Sequence, residues 1–516
     1  MEGVCRHNRY GVIVSSIILF AYLSLGLIVY DDYGVHFDEK FNQKYSKYLA
    51  EYFIEAITFG DTDSVKDMDP FYHKYDHGPF PELFIGLLVK FIGVADPREL
   101  LLFRHLVTFS FFLISAVFFS ALLLKSSRDS FIPVIGLLLY ILHPRIFSHA
   151  FYNTTDITFL AAFTVSLFTA NNFYRNQEFK NLAFHSLSSA VALNVRYAGL
   201  IVPSTTVLLL LAVALKKSNQ WGNFISVIFK YLALTAIVSF ILHPLIWHDL
   251  GVVFSSLQFS IGNYKFANYR PASPWYYNLF FFFLTSPLAT SILFMIGFFS
   301  IAYSFLNHGG LLEDGDLMGY HALIQIFLAI FLPILFRSHL FNFWRHHFFI
   351  YSSIVYVCFK GLVALKNVLI SVRGGLYGVF IILLILSYLP SLIFMVEYHP
   401  NQYIYGNIFA GEGNYRLHHK GTFDYWGLSF KQGVDYLVDK RKDNFSIRVH
   451  RSPSNHNLEF LTQKQRDRVN ITKYGGDSDY FITNYPNDIK VIVDGCGEVY
   501  YLEYEGVKYL TVLECV

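Results

Sequence analysis

Two adjacent carboxylates, Asp38 and Glu39, follow the first hydrophobic run of the chain. A carboxylate can act as a general base, which removes a proton from an acceptor hydroxyl or amine as that group attacks an activated carbon. Two arginines further along the chain, Arg196 and Arg345, could bind a phosphate through charge-assisted hydrogen bonds. This combination favours transfer of a group from a phosphate carrier, in which the cations stabilise the leaving phosphate and the base activates the nucleophile.

Further polar residues could complete such a site. Asp76 and His77 end the long loop in which Asp38 lies, and with Glu39 they could orient the base or bind a divalent cation such as Mg²⁺ or Mn²⁺, although their spacing specifies no metal. Asp156 opens a later hydrophobic run, where it could line the pocket, cap its helix, or do both.

Each of these residues also has a purely structural interpretation. Asp38 and Glu39 could be solvated loop charges. Arg196 could extend its guanidinium group to the membrane interface. His346, in an Arg-His-His sequence, could belong either to an interfacial anchor or to a substrate-binding site. The residue types alone leave these alternatives open.

The elements that would position these residues are hydrophobic helices. Of the 516 residues, 54% are hydrophobic and 15% are charged, whereas a soluble protein typically carries about 25% charged residues. Repeated apolar runs of about 20 residues are typical of transmembrane helices. The composition therefore predicts a polytopic α-helical membrane protein rather than a soluble one, and the net charge of +2 gives no indication of a nucleic-acid partner.

The hydropathy pattern predicts eleven spans. The loop 31–80 holds eleven Asp and Glu against five Lys, so we expect it on the outer side, with an amphipathic helix over 41–56 at the membrane surface. The apolar stretch 81–93 is too short to cross comfortably, which predicts an interfacial or re-entrant segment. The predicted spans are 11–30, 101–124, 131–144, 155–172, 181–196, 198–215, 222–246, 278–302, 319–336, 347–365 and 375–396.

The distribution of basic residues predicts the orientation. Arg6 and Arg9 precede the first span, which lacks a small-residue cleavage site and is expected to be an uncleaved anchor. An odd number of spans then places the C-terminus outside. The positive-inside rule agrees with this orientation, because the basic connectors Lys125/Arg128, Arg175/Lys180, Lys216/Lys217 and Lys366/Arg373 all fall on the predicted cytoplasmic side.

The chain divides into two predicted domains, 1–398 in the membrane and 399–516 outside it. The second loses the apolar runs and is expected to form a small α/β domain. Cys496 and Cys515 lie in this segment and could form one disulfide. We expect helices near 429–440 and 456–468, and strands at 445–450, 479–484 and 498–513, the last being a hairpin that turns at Glu505-Gly506.

Several motifs, taken in order, resemble the integral-membrane (GT-C type) glycosyltransferases. The resemblance covers most of the chain and is to glycosyltransferase family 39, which includes dolichyl-phosphate-mannose protein mannosyltransferases and bacterial aminoarabinose transferases. The motifs are Asp38-Glu39 after the first span, Asp76-His77-Gly78-Pro79-Phe80, Pro144 with Asp156, Arg196-Tyr197-Ala198-Gly199-Leu200, Pro274-Trp275-Tyr276-Tyr277 with Pro287, His399-Pro400-Asn401-Gln402-Tyr403, and Phe423-Asp424-Tyr425-Trp426-Gly427.

The resemblance implies a polyprenyl-phosphate sugar donor, inversion at the sugar carbon, and Asp38 as the general base. Two features depart from the family: Gly78 stands where the family has a proline, and the C-terminal domain lacks a β-trefoil-like repeat. Protein mannosylation is therefore not implied, and the acceptor could be a lipid, a glycan or a protein.

The sequence thus predicts a hexosyl- or pentosyltransferase of the cell envelope whose partners are the lipid-linked donor, the acceptor and the bilayer. A bacterial plasma membrane is the first expectation, and the endoplasmic reticulum is the alternative. Two other functions remain: a transporter or flippase of lipid-linked sugars, and a non-catalytic envelope scaffold. A transporter would distribute polar residues through the membrane depth and show symmetry between its halves, and neither feature is evident.

Overall fold

The protein is described here from a computed structural model. The structure describes residues 9–59, 77–216, 221–247, 250–251, 254, 272–307, 317–410, 423–449, 452–472, 476–484 and 495–515.

The described residues from Arg9 to Glu397 are mostly helical. Short 3-10 turns, Tyr197–Leu200 and Arg345–Ile350, precede two of the helices. The helices are α1 (Arg9–Val29), α2 (Glu39–Phe59), α3 (Phe80–Ile92), α4 (Pro97–Ser126), α5 (Ile132–Ile141), α6 (Pro144–Tyr152), α7 (Thr154–Arg175), α8 (Phe179–Val195), α9 (Ile201–Lys216), α10 (Trp221–Ile241), α11 (Tyr277–Thr285), α12 (Leu288–Asn307), α13 (Leu317–Leu335), α14 (Tyr351–Val372) and α15 (Gly374–Glu397).

The predicted polytopic architecture is confirmed. Among the described residues, nine helical segments are long and apolar enough to cross a membrane, and the pair α5 and α6, bent by 58° at their junction, would be a tenth. The remaining predicted span is α8, which has 17 residues, at the lower end of the range for a transmembrane helix.

Two helices outside this set shape the region around the first loop. The helix α2 buries Tyr45, Tyr48 and Leu49 against Leu83 of α3, in agreement with the amphipathic pattern predicted for 41–56. The helix α3 has 13 residues and ends at Gly93, whose φ of 81° is readily adopted by glycine. Its length agrees with the prediction that this stretch is too short to span the membrane.

The two ends of α7 differ in chemistry. Asp156 lies at its start and Arg175 ends it, about 28 Å away at a rise of about 1.5 Å per residue. Arg175 Nη2 donates to the Lys125 carbonyl at 3.2 Å, and Lys125 Nζ donates to Asn172 Oδ1 at 3.0 Å. Two of the basic connectors therefore meet at the end of the helical region opposite Asp156.

The C-terminal part combines helices with a sheet. Its elements are α16 (Phe430–Lys440), a 3-10 helix (Ser452–Phe460), α17 (Gln463–Arg466), β1 (Phe445–Val449), β2 (Val469–Ile471), β3 (Tyr480–Thr483), β4 (Cys496–Tyr504) and β5 (Val507–Cys515). The five strands form a mixed sheet with the order β2-β1-β3-β5-β4. β1 pairs in parallel with β2 and β3, while β5 pairs antiparallel with β3 and β4. The helix α16 buries Val434 and Leu437.

The predicted α/β character of this part is confirmed, including its hairpin and its disulfide. β4 and β5 turn at Glu505 and Gly506, whose φ angles are 47° and 78°, and Gly is the residue that adopts such angles without steric cost. Cys496 lies opposite Cys515 in the antiparallel register, and the two are bonded.

The C-terminal part contacts the first loop through hydrogen bonds and an ion pair. Asn457 accepts a hydrogen bond from the Val35 backbone N–H at 2.9 Å and donates to the Gly427 carbonyl at 3.2 Å. Lys40 Nζ lies 2.7 Å from Glu459 Oε1. A Cβ at Gly34 would lie 2.2 Å from the Leu428 carbonyl oxygen, so the two backbones are in direct contact. The loop that carries Asp38 and Glu39 is thus positioned by residues of the distant C-terminal segment.

Candidate functional site

Asp156 is buried in the first turn of α7, with 3% of its surface exposed. The helix is capped by Asn153, whose Oδ1 accepts from the Asp156 N–H at 3.1 Å and whose Nδ2 donates to Asp156 Oδ2 at 2.9 Å. The N-terminal position places the carboxylate where the helix dipole favours negative charge. Asp156 is therefore held by the cap rather than being the cap, and its carboxylate is available to other partners.

Those partners are the two predicted arginines. Arg196 Nη2 lies 2.5 Å from Asp156 Oδ1, and Arg345 Nη1 lies 3.2 Å from Asp156 Oδ2. Arg345 Nη2 also lies 3.1 Å from His346 Nε2. Arg196 follows α8, whereas Arg345 begins the 3-10 turn before α14. Three distant segments thus converge, with two guanidinium groups on one carboxylate and a net positive charge.

Two aromatic residues of the C-terminal segment cover this cluster. The Arg345 guanidinium carbon lies 4.4 Å from the centroid of the Trp426 ring and 6.0 Å from that of Tyr425. Tyr425 Oη lies 3.2 Å from Nε2 of His149, and His149 Nδ1 lies 2.9 Å from Asn153 Nδ2. Such cation–π contacts are stronger when water is excluded. The aromatic residues that cover Arg345 therefore belong to the segment that follows the last membrane helix.

Glu39 belongs to a buried ion cluster. Its carboxylate contacts Arg104 Nε and lies 3.3 Å from His36 Nε2. Arg104 makes a bidentate contact with Glu82, at 2.9 and 3.0 Å. Burial alone would raise the pKa of the Glu39 carboxyl, but Arg104 and His36 outweigh it and hold this pKa well below its ordinary value, whereas burial raises the pKa of Glu82. Glu39 is thus an ionised carboxylate held in place between fixed partners.

Asp38, the predicted base, is exposed in the turn that precedes α2. Its backbone N–H donates to His36 Nδ1 at 3.2 Å, and the His36 ring lies 4.9 Å from the ring of Trp426. Trp426 therefore contacts both His36, beside Asp38, and Arg345, beside Asp156. The loop carboxylates and the arginine cluster lie on the same side of the helical region.

The backbone at His77 and Gly78 lies beside the segment that carries Arg196, whereas Asp76 lies outside the described residues. The Gly78 N–H donates to the Val195 carbonyl at 3.0 Å, immediately before Arg196. A Cβ at Gly78 would lie 2.1 Å from the Asn194 carbonyl oxygen. A proline at this position would lose the hydrogen bond and clash, so the close approach of the two backbones favours glycine here.

The predicted divalent cation does not fit Glu39. Both of its carboxylate oxygens already have cationic or histidine partners. Within the part of the chain that the structure describes, no three His, Cys, Asp or Glu side chains are grouped as metal ligands. We therefore derive no chemical step through a metal at this carboxylate.

Three contributors are not among the predicted site residues. Arg104 and Glu82 fix Glu39 through contacts between three separate helices, and their only sequence signal is a charged residue within an apolar run. Trp426 is present in the sequence analysis only as part of a resembling motif. The predicted residues Asp156, Arg196, Arg345 and His346 do come together in the structure, although their roles stay predictions.

Comparison with known proteins adds similarities of fold. No family model and no curated protein sequence matches the chain. The structure is similar to ArnT from Cupriavidus metallidurans bound to undecaprenyl phosphate, with 13% identity, a TM-score of 0.48, and coverage of 96% of this chain and 97% of that one. It is also similar to the Archaeoglobus fulgidus oligosaccharyltransferase in complex with Zn and sulfate, with 12% identity, a TM-score of 0.46, and coverage of 88% of this chain and 64% of that one.

A third similar structure is archaeal oligosaccharyltransferase AglB from Archaeoglobus fulgidus in complex with an inhibitory peptide and a dolichol-phosphate. It is 11% identical, has a TM-score of 0.42, and the match covers 92% of this chain and 70% of that one. The similarity of these three structures to this chain is one of fold.

Proposed function

We propose that the protein is an integral-membrane glycosyltransferase that moves a hexosyl or pentosyl group from a polyprenyl-phosphate donor to a lipid, glycan or protein acceptor. The observation that carries the proposal is the convergence of Arg196 and Arg345 on Asp156. This cationic cluster lies on the same side of the helical region as the exposed carboxylate of Asp38, so an anion-binding group and a candidate base can act on one substrate.

The donor phosphate would bind at the arginines. Asp156 neutralises only one of the two positive charges, and the excess charge favours an anion. Arg345 also has a buried Nε for which the described residues supply no hydrogen-bond acceptor. A buried donor without a partner is costly, and a phosphate oxygen would satisfy it. Asp156 and His346 would then orient Arg345 by holding its other nitrogen atoms.

The chemical step needs one base and one stabilised leaving group. Asp38 would accept the proton from the acceptor hydroxyl or amine as the acceptor oxygen or nitrogen forms a bond to the anomeric carbon. The bond from that carbon to the donor phosphate oxygen breaks, and its electron pair stays on the phosphate, whose charge the arginines stabilise. Direct displacement inverts the sugar carbon, as the family resemblance implies. Glu39 would position the loop through Arg104, and His77 would border the donor site.

We further propose that this reaction takes place on the external face of a bacterial plasma membrane. The alternative is the lumenal face of the endoplasmic reticulum, which is equivalent to it. Lys125 and Arg175 meet at the opposite end of the helical region, which supports the assignment through the positive-inside rule. The C-terminal domain would then lie outside with the site.

The direct test uses purified protein in proteoliposomes with a radiolabelled polyprenyl-phosphate sugar and a mixture of lipid, glycan and peptide acceptors. We expect label to move to one acceptor class and to remain on the donor with the Asp38→Asn variant. Label that crosses between leaflets without changing its carrier would contradict the transferase proposal and favour transport. Full transfer by the variant would remove Asp38 from the mechanism.

A further inference from the structure

A second binding feature lies away from the arginine cluster. A cavity of about 950 Å³ runs along α7, between α4 and α8. Its floor extends from Thr158 to Arg175, about 26 Å at about 1.5 Å per residue. The hydrocarbon core of a bilayer is about 30 Å thick, so the groove follows most of the membrane depth.

The walls of this groove are apolar and face the bilayer. Ala161 and Ala162 form part of the floor, where their small side chains leave space. Ile114, Phe184 and Leu187, which also line the groove, are 50%, 53% and 43% exposed. Exposed side chains of this size along a membrane-spanning groove suit a lipid chain, because that chain can enter sideways from the bilayer.

The end of the groove near the arginine cluster is bordered by aromatic rings. Phe80 lines that end, and its ring centroid lies 6.2 Å from that of Phe84 and 6.4 Å from that of Phe111. Phe84 and Phe111 are themselves 5.4 Å apart. These phenylalanine rings offer a lipid head group neither a hydrogen bond nor an ion pair.

The opposite end is polar and cationic. Lys125, Arg175 and Lys180 line it, together with Asn176 and Asn181, and no Asp or Glu is among the described residues that line the groove. Arg175 and Lys180 are exposed. Of the nearby acids, Glu178 is exposed to solvent and Asp129 is bound to Lys366. An anionic group at this end would thus meet the three cations that line the groove, and neither of these nearby acids lines it.

From this polarity we infer that the groove binds an anionic glycerophospholipid from the leaflet opposite the arginine cluster. The lipid phosphate would lie among Lys125, Arg175 and Lys180, and one acyl chain would lie along Ala161 and Ala162. Cationic side chains at a membrane surface attract anionic lipids, and the apolar floor retains the chain. This lipid is distinct from the donor, whose phosphate would bind at the other end of α7.

Native mass spectrometry of the full chain in detergent tests the inference with phosphatidylglycerol and phosphatidylcholine of identical acyl chains. We expect preferential retention of phosphatidylglycerol. The Arg175→Gln/Lys180→Gln variant should weaken that binding about fivefold for each cation removed and leave phosphatidylcholine unaffected. The control Lys216→Gln/Arg373→Gln removes two exposed cations that do not line the groove, and it should retain the lipid fully.

A second variant tests whether the acyl chain occupies the groove. Val165→Trp fills the floor between the two ends and should lower retention of both lipids, while an unchanged melting temperature would show that the protein remains folded. Equal retention of the two lipids by the wild type, no effect of Val165→Trp in the folded protein, or displacement of the lipid by millimolar inorganic phosphate would each overturn the inference.

Discussion

The Arg345 guanidinium carbon lies 4.4 Å from the centroid of the Trp426 ring. Arg345 precedes a membrane helix, whereas Trp426 follows the last one, so the contact joins the helical region to the C-terminal segment. The ring of His36 approaches the same indole at 4.9 Å, and His36 in turn holds Glu39. One aromatic side chain therefore links the arginine cluster to the first loop, and the following predictions test that arrangement.

Replacing Asp38 with Asn should lower kcat by about 10²–10⁴, the usual contribution of a general base. Because the side chain is exposed, the melting temperature and the donor affinity should stay unchanged. Transfer of labelled sugar in proteoliposomes is the measurement, and Asp31→Asn, another exposed position of the same loop, is the control. Equal losses in the two variants would show a general effect of loop charge rather than base catalysis.

Replacing Arg345 with Gln should weaken binding of the donor and leave binding of the acceptor unchanged. A hydrogen bond to a charged group contributes about 1.5–3 kcal/mol, so we expect KM for the donor to rise about 10- to 100-fold. Steady-state kinetics with each substrate varied separately makes the comparison. Arg128→Gln, an exposed arginine outside this cluster, should leave both constants unchanged. A change confined to the KM for the acceptor would show that Arg345 binds the acceptor and would contradict its role at the donor.

Replacing Trp426 with Leu should reduce donor affinity by about 5- to 30-fold, because a desolvated cation–π contact is worth about 1–2 kcal/mol. Trp426→Phe keeps an aromatic face and should retain part of the affinity. Binding of the unreactive polyprenyl phosphate, followed by calorimetry, measures both variants. Trp275→Leu, at a position 65% exposed, is the matched control. If Phe and Leu at 426 behaved alike, packing rather than the ring would explain the loss.

The lowered pKa of Glu39 predicts a pH-dependent contribution to stability. A carboxyl whose folded-state pKa is depressed stabilises the fold above its unfolded value of about 4.3, and this contribution is lost as the pH falls through the folded value. The Glu39→Gln variant should therefore be less stable than the wild type by about 2–3 kcal/mol at pH 7, and the difference should narrow below about pH 4.

Chemical unfolding of the detergent-solubilised protein at several pH values measures this difference. Glu51→Gln removes a looser contact, in which Lys47 lies 3.9 Å away, and should change stability little at any pH. A gap between Glu39→Gln and the wild type that stayed constant down to pH 3 would show that the Glu39 charge does not contribute through Arg104.

The bond between Cys496 and Cys515 predicts the side of the membrane on which the sheet lies. Disulfides persist in oxidising compartments and are rare in the cytosol. Alkylation of intact cells, followed by mass spectrometry, should find both thiols blocked until a reductant is added, whereas the buried Cys358 should react only after denaturation. Free thiols at 496 and 515 in freshly isolated membranes would contradict the external placement of the C-terminal domain.

The sequence predicts those features that depend on local pattern. Hydropathy locates the membrane helices, because each must present an apolar surface of fixed length to the bilayer. Alternation and turn residues predict the β4–β5 hairpin. The pairing of Arg104 with both Glu39 and Glu82 has no local signal, since it depends on how three helices pack.

The same reason applies to the site. The sequence shows Asp156, Arg196 and Arg345 as polar residues beside apolar runs. Hydropathy indicates that they share one side of the membrane but not that they touch. The contact of Trp426 with the arginine cluster depends on how the C-terminal segment packs against the helices, and no periodic pattern in the sequence predicts that packing. Glu39 shows the converse case: its position suggested chemistry, whereas its contacts with Arg104 and His36 show a fixed ion cluster.

The docking of Trp426 onto Arg345 also bears on synthesis in the cell. During translation, all of the membrane helices are made before this indole leaves the ribosome, so the bilayer-inserted polypeptide initially has its arginine cluster uncovered. Under the proposed function, nascent or prematurely terminated chains would therefore be inserted but would bind the donor more weakly. Full donor affinity would be reached only after the last fifth of the polypeptide folds against the first loop.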